Sequence, residues 1–181
     1  MKSTKFYLMI MLMALLASCD MKCSVGGTKE AKTVSSSDNS ALNGATIKND
    51  IELEATGVKL KEAYLVDAAN NLLTENKTRV GEKIYLVIKL DTGWVKENDK
   101  SFLGASERIS TSGGSVVVNA DDIFKDYELT GVDPKDAKDI TLSALISEVK
   151  SGVEDFVVQF RVWDKKGPGE VKGKYKFKIK D

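Results

Sequence analysis

A chain of 181 residues with 27 Lys+Arg against 27 Asp+Glu, no His and 42% hydrophobic residues has the composition of one ordinary globular domain. Zero formal net charge speaks against a nucleic-acid binder, which shows a basic excess, and the missing His removes the commonest general base, the commonest zinc ligand and the Ser-His and Cys-His nucleophile pairs together. An enzyme is not expected, nor a metal or a diffusible cofactor.

Lys2 and Lys5 precede an apolar run from Phe6 to Ala17, the pattern of a secretory signal. As a helix the run spans about 18 Å at ~1.5 Å per residue, short of the roughly 20 residues a transmembrane span needs. It ends on Leu16-Ala17-Ser18-Cys19, which resembles the lipobox of bacterial lipoproteins: a Leu three before the cysteine, two small residues, then Cys. The resemblance implies removal of residues 1–18 and acylation of Cys19, so the expected attached group is covalent lipid. It also implies residence at the bacterial outer membrane or cell envelope, periplasmic or surface-exposed. Each buried CH₂ contributes about 0.8 kcal/mol to membrane binding, so two or three chains anchor stably where one does not. An ordinary cleaved signal with a chance Cys is the plainer alternative. Loss of Lys2 and Lys5 leaves a formal charge of −2. Cys23 is then the remaining thiol, without a partner for an intrachain disulfide; it is either inert or open to intermolecular pairing, and no His stands by to activate it.

Residues 19–49 are rich in Ser, Thr, Asn, Gly and Lys and show no apolar period, so they read as a lipidated flexible tether. Such a coil spans on the order of 30 Å. Residues 50–181 form the folded domain, long enough to bury roughly two-thirds of its unfolded surface.

The period along that domain is predominantly 2. Ile51, Leu53 and Ala55 alternate with Glu52, Glu54 and Thr56, and Val58 and Leu60 with Lys59 and Lys61. Residues 63–66 then break phase, which suggests a bulge or a segment covered on both faces. Residues 84–90 are apolar on both faces apart from Lys89 and read as a central strand. A Gly113-Gly114 turn leads into the short β-branched strand 115–118. Ile140, Leu142, Ala144 and Ile146 alternate with Thr141, Ser143, Leu145 and Ser147, then Phe156, Val158, Phe160 and Val162 with Val157, Gln159, Arg161 and Trp163, and Tyr175, Phe177 and Ile179 with Lys174, Lys176, Lys178 and Lys180. About seven short strands predict an all-β, immunoglobulin-like two-sheet sandwich. Only residues 120–127 and 134–138 read as helical, a turn or two each, with Asp133 capping the second. For the C-terminal hairpin, a register placing Phe160 opposite Phe177 and Trp163 opposite Lys174 is expected, with residues 164–173 as its loop.

Four sets of side chains are candidates for binding. Lys174, Lys176 and Lys178, with Lys172 and Lys180, line the outer face of the last strand as a basic rail; the plainer reading is a solvated face on an edge strand that lysines guard against aggregation. Trp163 shares that face by parity and Trp94 sits in a loop, a pair that would stack sugar rings unless each covers core. Asp121, Asp122 and Asp126, then Asp133, Asp136 and Asp139, are weak Ca²⁺ ligand candidates, without EF-hand spacing and better read as caps and turns. No nucleophile-elbow, P-loop or dinucleotide motif is present. Two functions remain: a membrane-held protein-interaction or assembly module with an envelope-protein partner, and a glycan or small-ligand binder using Trp94, Trp163 and the end loops.

Overall fold

The computed structural model of the chain describes residues 42–149, 152 and 155–180. The expected signal, Cys19 and Cys23 lie outside them. In chain order the strands are β1 (Thr46–Ile47), β2 (Glu52–Thr56), β3 (Lys59–Val66), β4 (Lys77–Thr78), β5 (Lys83–Thr92), β6 (Lys96–Glu97), β7 (Lys100–Ser101), β8 (Leu103–Thr111), β9 (Val116–Ala120), β10 (Asp139–Leu145), β11 (Asp155–Asp164) and β12 (Glu170–Ile179). One sheet runs β1-β3-β5-β10, the other β2-β12-β11-β8-β9 with β4 also on β12, and β6-β7 is a small separate ladder. The chain is an all-β sandwich. Apolar side chains of both sheets meet in one core, Leu65, Leu86, Ile88 and Leu142 from the first and Ile109, Phe156, Val158 and Phe177 from the second.

The period-2 residues sit where their alternation puts them. Ile140, Leu142 and Ala144 of β10 are buried while Asp139, Thr141, Ser143 and Leu145 are exposed. β5 is central, flanked antiparallel by β3 and β10, and Val87, between Tyr64 and Thr141 on the face opposite Leu86 and Ile88, is 9% exposed. Residues 63–66 hold no bulge and pair regularly with β5, with Leu65 and Val66 both buried; the β3–β5 register shifts upstream, at Lys59–Glu62. The two helical segments shrink to three-residue 3-10 turns, Lys125–Tyr127 and Asp136–Lys138. Asp133 does not cap the second: the N-cap is Lys135, with no side-chain cap bond, and Asp133 Oδ1 instead accepts from Lys135 N at 2.8 Å in the preceding turn.

Three expectations are corrected. The packed structure begins before residue 50: Leu42 packs on the core, β1 pairs parallel with β3, and Asn49 ties three segments together. Its Nδ2 donates to Leu73 O, its Oδ1 accepts from Leu65 N, and its backbone carbonyl accepts from Asn76 Nδ2. A polar residue that replaces ladder bonds leaves no apolar period to read.

The C-terminal hairpin is four residues out of the expected register, although its parity holds. Phe156 faces Phe177, Phe160 faces Gly173, and Trp163 faces Glu170 rather than Lys174. The strands run on through Val171 and Gly173, and only residues 165–169 form the loop. Gly173 makes this register possible, because a Cβ there would run into Glu52 O, Leu53 and the Phe160 ring. The Phe156 and Phe177 rings stack at 5.4 Å as a result.

β12 is also no edge strand. β11 pairs along one side, and the other is taken by β2 at its N-terminal half and by β4 at its C-terminal half. The lysine rail therefore stands on an interior strand.

Candidate functional site

The sheet edge formed by β9 is built by the turn that precedes it. Thr111 N donates to Ser115 O and Gly114 N to Thr111 O, both at 2.9 Å, with Gly114 at φ +88° where a side chain would be strained. β9 then pairs antiparallel with β8 alone, and its other side meets no strand among the described residues. The pairing slips between Ile109↔Val118 and Ser110↔Val116, leaving Val117 as the extra residue of a bulge. Alternation is lost there, and Val116, Val117 and Val118 are all exposed, at 47%, 45% and 36%. Sheet edges are guarded by charge, proline or a bulge, and here the bulge is the guard beside three consecutive exposed valines. β9 carries no charged residue.

Beyond β9 the chain is pinned back to the sandwich by Asp122. Its Oδ1 accepts from Ala105 N and Phe124 N, and its Oδ2 pairs with Lys165 Nζ at 2.7 Å. Burial works against its ionisation, but Lys165 and the two backbone donors outweigh it and hold the carboxyl below the usual range. Asp121 accepts from Asn119 Nδ2 at 2.9 Å. These acids are spent on the loop itself, and among the described residues no three acidic, Cys or His side chains gather as a metal would require.

On the outer face beside β9, Ser106, Arg108, Asn119, Gln159, Arg161 and Trp163 line an open groove of about 330 Å³. Trp163 is half-buried within it. The ring packs over Gly104, its cross-strand partner, and the Arg161 guanidinium stands 4.8 Å from its centroid. Arg161 is held in turn by Glu170, Nε to Oε2 at 2.7 Å. Trp94 lies elsewhere, its Nε1 donating to Ala137 O at 2.7 Å and its ring against Gly169. The two tryptophans do not meet, and each is engaged in packing.

The lysine rail is largely neutralised from neighbouring strands. Lys174 pairs with Glu52 at 3.0 Å, Lys172 with Glu54 at 3.3 Å and Lys178 with Asp155 at 3.1 Å. Lys176 lies opposite Val157 and meets no carboxylate among the described residues. A second groove of about 520 Å³ lies at one end of the sandwich, with Phe124, Tyr127, Val132 and Ile140 as apolar lining and Asp133, Asp136 and Asp139 among its polar groups.

Inside the core, on the inward face of β8, Glu107 is only 6% exposed and burial pushes its carboxyl up to about 7. Tyr175 is 1% exposed, its hydroxyl has no hydrogen-bond partner among the described residues, and burial, then the Glu107 charge, raises its pKa well above the usual phenol value. Sequence periodicity missed β8 altogether, because Ala105 is small and Glu107 charged at two of its inward positions.

No helix among the described residues is long and apolar enough to cross a membrane. No family model matches the chain, and no curated protein resembles it significantly. Among solved structures it is similar to the C-terminal domain of Wzt, with a TM-score of 0.43 and 9% identity over 83% of this chain and 90% of that one. It is similar also to the PmoD soluble domain from Methylocystis sp. ATCC 49242 (Rockwell), with a TM-score of 0.35 and 5% identity over 76% of this chain and 99% of that one.

Proposed function

We propose that this chain is an exported, lipid-anchored, non-catalytic protein of the bacterial cell envelope whose sandwich acts as a protein-interaction or assembly module. Its working surface is β9, which takes up an extended segment of a partner envelope protein as an added strand. The observation that carries this reading is the free, uncharged edge with Val116, Val117 and Val118 in solvent. Main-chain hydrogen bonds along such an edge supply affinity, and the flanking side chains supply selection. The lipobox supports the anchored part, and a tether on the order of tens of Å lets the domain reach a partner away from the headgroups. The glycan reading finds less support, since Arg161 stands over the Trp163 ring and Trp94 is tied to Ala137.

A photo-crosslinking side chain at position 117, in cells, tests the edge. One stoichiometric envelope protein is expected to be captured there, to be lost when Val118→Lys is added, and to be missing when the probe sits at the equally exposed Val95. Equal capture from positions 117 and 95 would sink the edge reading. For the anchor, Cys19→Ala is expected to leave an uncut precursor and abolish lipid labelling; unchanged processing would show that the lipobox is not used.

A further inference from the structure

The chain has three arginines, and two of them end on carboxylates. Arg79 Nη1 lies 3.2 Å from Glu82 Oε1, and Arg161 reaches Glu170 through both Nε and Nη2. Arg108 is exposed and meets no carboxylate among the described residues. It stands on the outer face of β8, directly between Gln159 of β11 and Asn119 of β9. Of the two acids lining the same groove, Asp121 is bound to Asn119 and Glu107 is turned to the inward face, only 6% exposed. Nearby cations are already answered, Lys165 by Asp122 and Arg161 by Glu170. A guanidinium offers five N–H donors in a planar fork that fits a carboxylate. Among the described residues that fork stands unused, one strand in from the outermost strand.

We propose that the segment received by β9 is acidic: an extended polypeptide whose carboxylate, at the position opposite Asn119, crosses β9 and pairs with Arg108. This rests on the strand-accepting role of β9 and adds the charge of its partner. An incoming strand would lie about 4.8 Å beyond β9 and so about twice that from β8, a gap that an arginine and a glutamate side chain span together. The gap exceeds the ~7–8 Å of diagonal neighbours on adjacent strands, so both side chains must be extended across Asn119 to meet. Apolar side chains on both faces of the segment would lie against the valines, Val118 on the face of Ile109 and Val116 on that of Ser110, and the single charge would set its register. A lysine at the same position would face Arg108 as a like charge, so the groove rejects basic segments as well as attracting acidic ones.

The test uses the full-length chain and short capped peptides alternating threonine and valine around a central glutamate, glutamine or lysine. Affinity is read by titration and location by the amide shifts of β9. The glutamate peptide is expected to bind about tenfold more tightly than the glutamine peptide, with lysine weakest, and the spread to narrow as salt is raised. Arg108→Gln is expected to make the glutamate and glutamine peptides equal without lowering affinity for the glutamine peptide or the melting temperature. Three peptides that bind alike, or a preference that survives Arg108→Gln, would overturn the acidic partner while leaving β9 as a strand acceptor. If no peptide shifts the β9 amides, the strand-accepting role falls and this proposal with it. Oligogalacturonate that moves the Arg108 signals where the glutamate peptide does not would overturn the proposal in favour of an acidic glycan.

Discussion

Trp163 of β11 packs over Gly104 of β8, its direct cross-strand partner, so that a Cβ on Gly104 would fall within the indole ring. The fit explains how a large aromatic on the outer face of a sheet becomes half-buried without any loop to cover it. It also turns Trp163 from a sugar platform into a wall of the groove beside β9, with Arg161 laid over it.

Gly104→Ala tests that fit. The added methyl must displace the ring and with it the Arg161–Glu170 pair, and overpacking of this kind costs about 1–3 kcal/mol. A lower urea midpoint is expected, with a red-shifted tryptophan emission as the ring moves into water. Trp163→Ala in the same background should recover part of the loss, because it removes the clash. A Gly104→Ala protein with unchanged midpoint and emission would show that the ring has room to spare.

Glu107 makes stability depend on pH. Its folded pKa, about 7, lies above the ordinary value of 4.5. Below pH 4.5 the carboxyl is protonated in both states and no charge is buried. Between about 4.5 and 7 the unfolded chain releases the proton while the folded one keeps it, so stability falls as pH rises, by about 1.4 kcal/mol per unit at most, and levels off above 7. The whole effect is on the order of 3 kcal/mol. Glu107→Gln keeps the shape and removes the titration, so the variant should be about as stable at pH 8 as at pH 5 and should exceed the parent at pH 8. Parallel pH profiles for parent and variant would show that Glu107 escapes burial.

The strands with full alternation were legible because burial on one face writes itself into period 2, as in β10 and β11. What the chain does not announce is anything that depends on a neighbour. β8 hides because Glu107 and Ala105 occupy core positions that only the opposing sheet makes apolar. The register of β11 against β12 hides because parity allows any even shift, and the choice between shifts falls to Gly173, where missing side-chain volume admits the Phe160 ring. The exposure of β9 hides for a third reason: Val116, Val117 and Val118 look like a core strand until strand order puts them outermost. Trp94 and Trp163 were visible as candidates, but their covers, Ala137 O and Arg161, come from elsewhere in space or from the face they share. Arg108 carries no signal in sequence at all, since meeting no carboxylate among the described residues is a property of its surroundings.

Asp164, at the end of β11, is the buried carboxylate on which the neighbouring loop hangs. It is 6% exposed, its Oδ2 accepts from Val95 N at 2.6 Å and its Oδ1 from Lys166 N at 2.8 Å. The first bond fixes the segment that carries Trp94, and the second shapes the hairpin loop around Gly167, where a Cβ would press on the same carboxylate. Bonds to a charged acceptor contribute about 1.5–3 kcal/mol each, less where water can replace the lost partner. Asp164→Ala is therefore expected to cost roughly 2–4 kcal/mol and to speed hydrogen exchange at the Val95 amide more than at amides of β5. Asp164→Asn keeps one acceptor oxygen and should lose less, with exchange at only one of Val95 and Lys166 strongly raised. An alanine variant within about 0.5 kcal/mol of the parent, with Val95 still protected, would mean that the Trp94 loop is held by its own packing and that the carboxylate merely fits beside it.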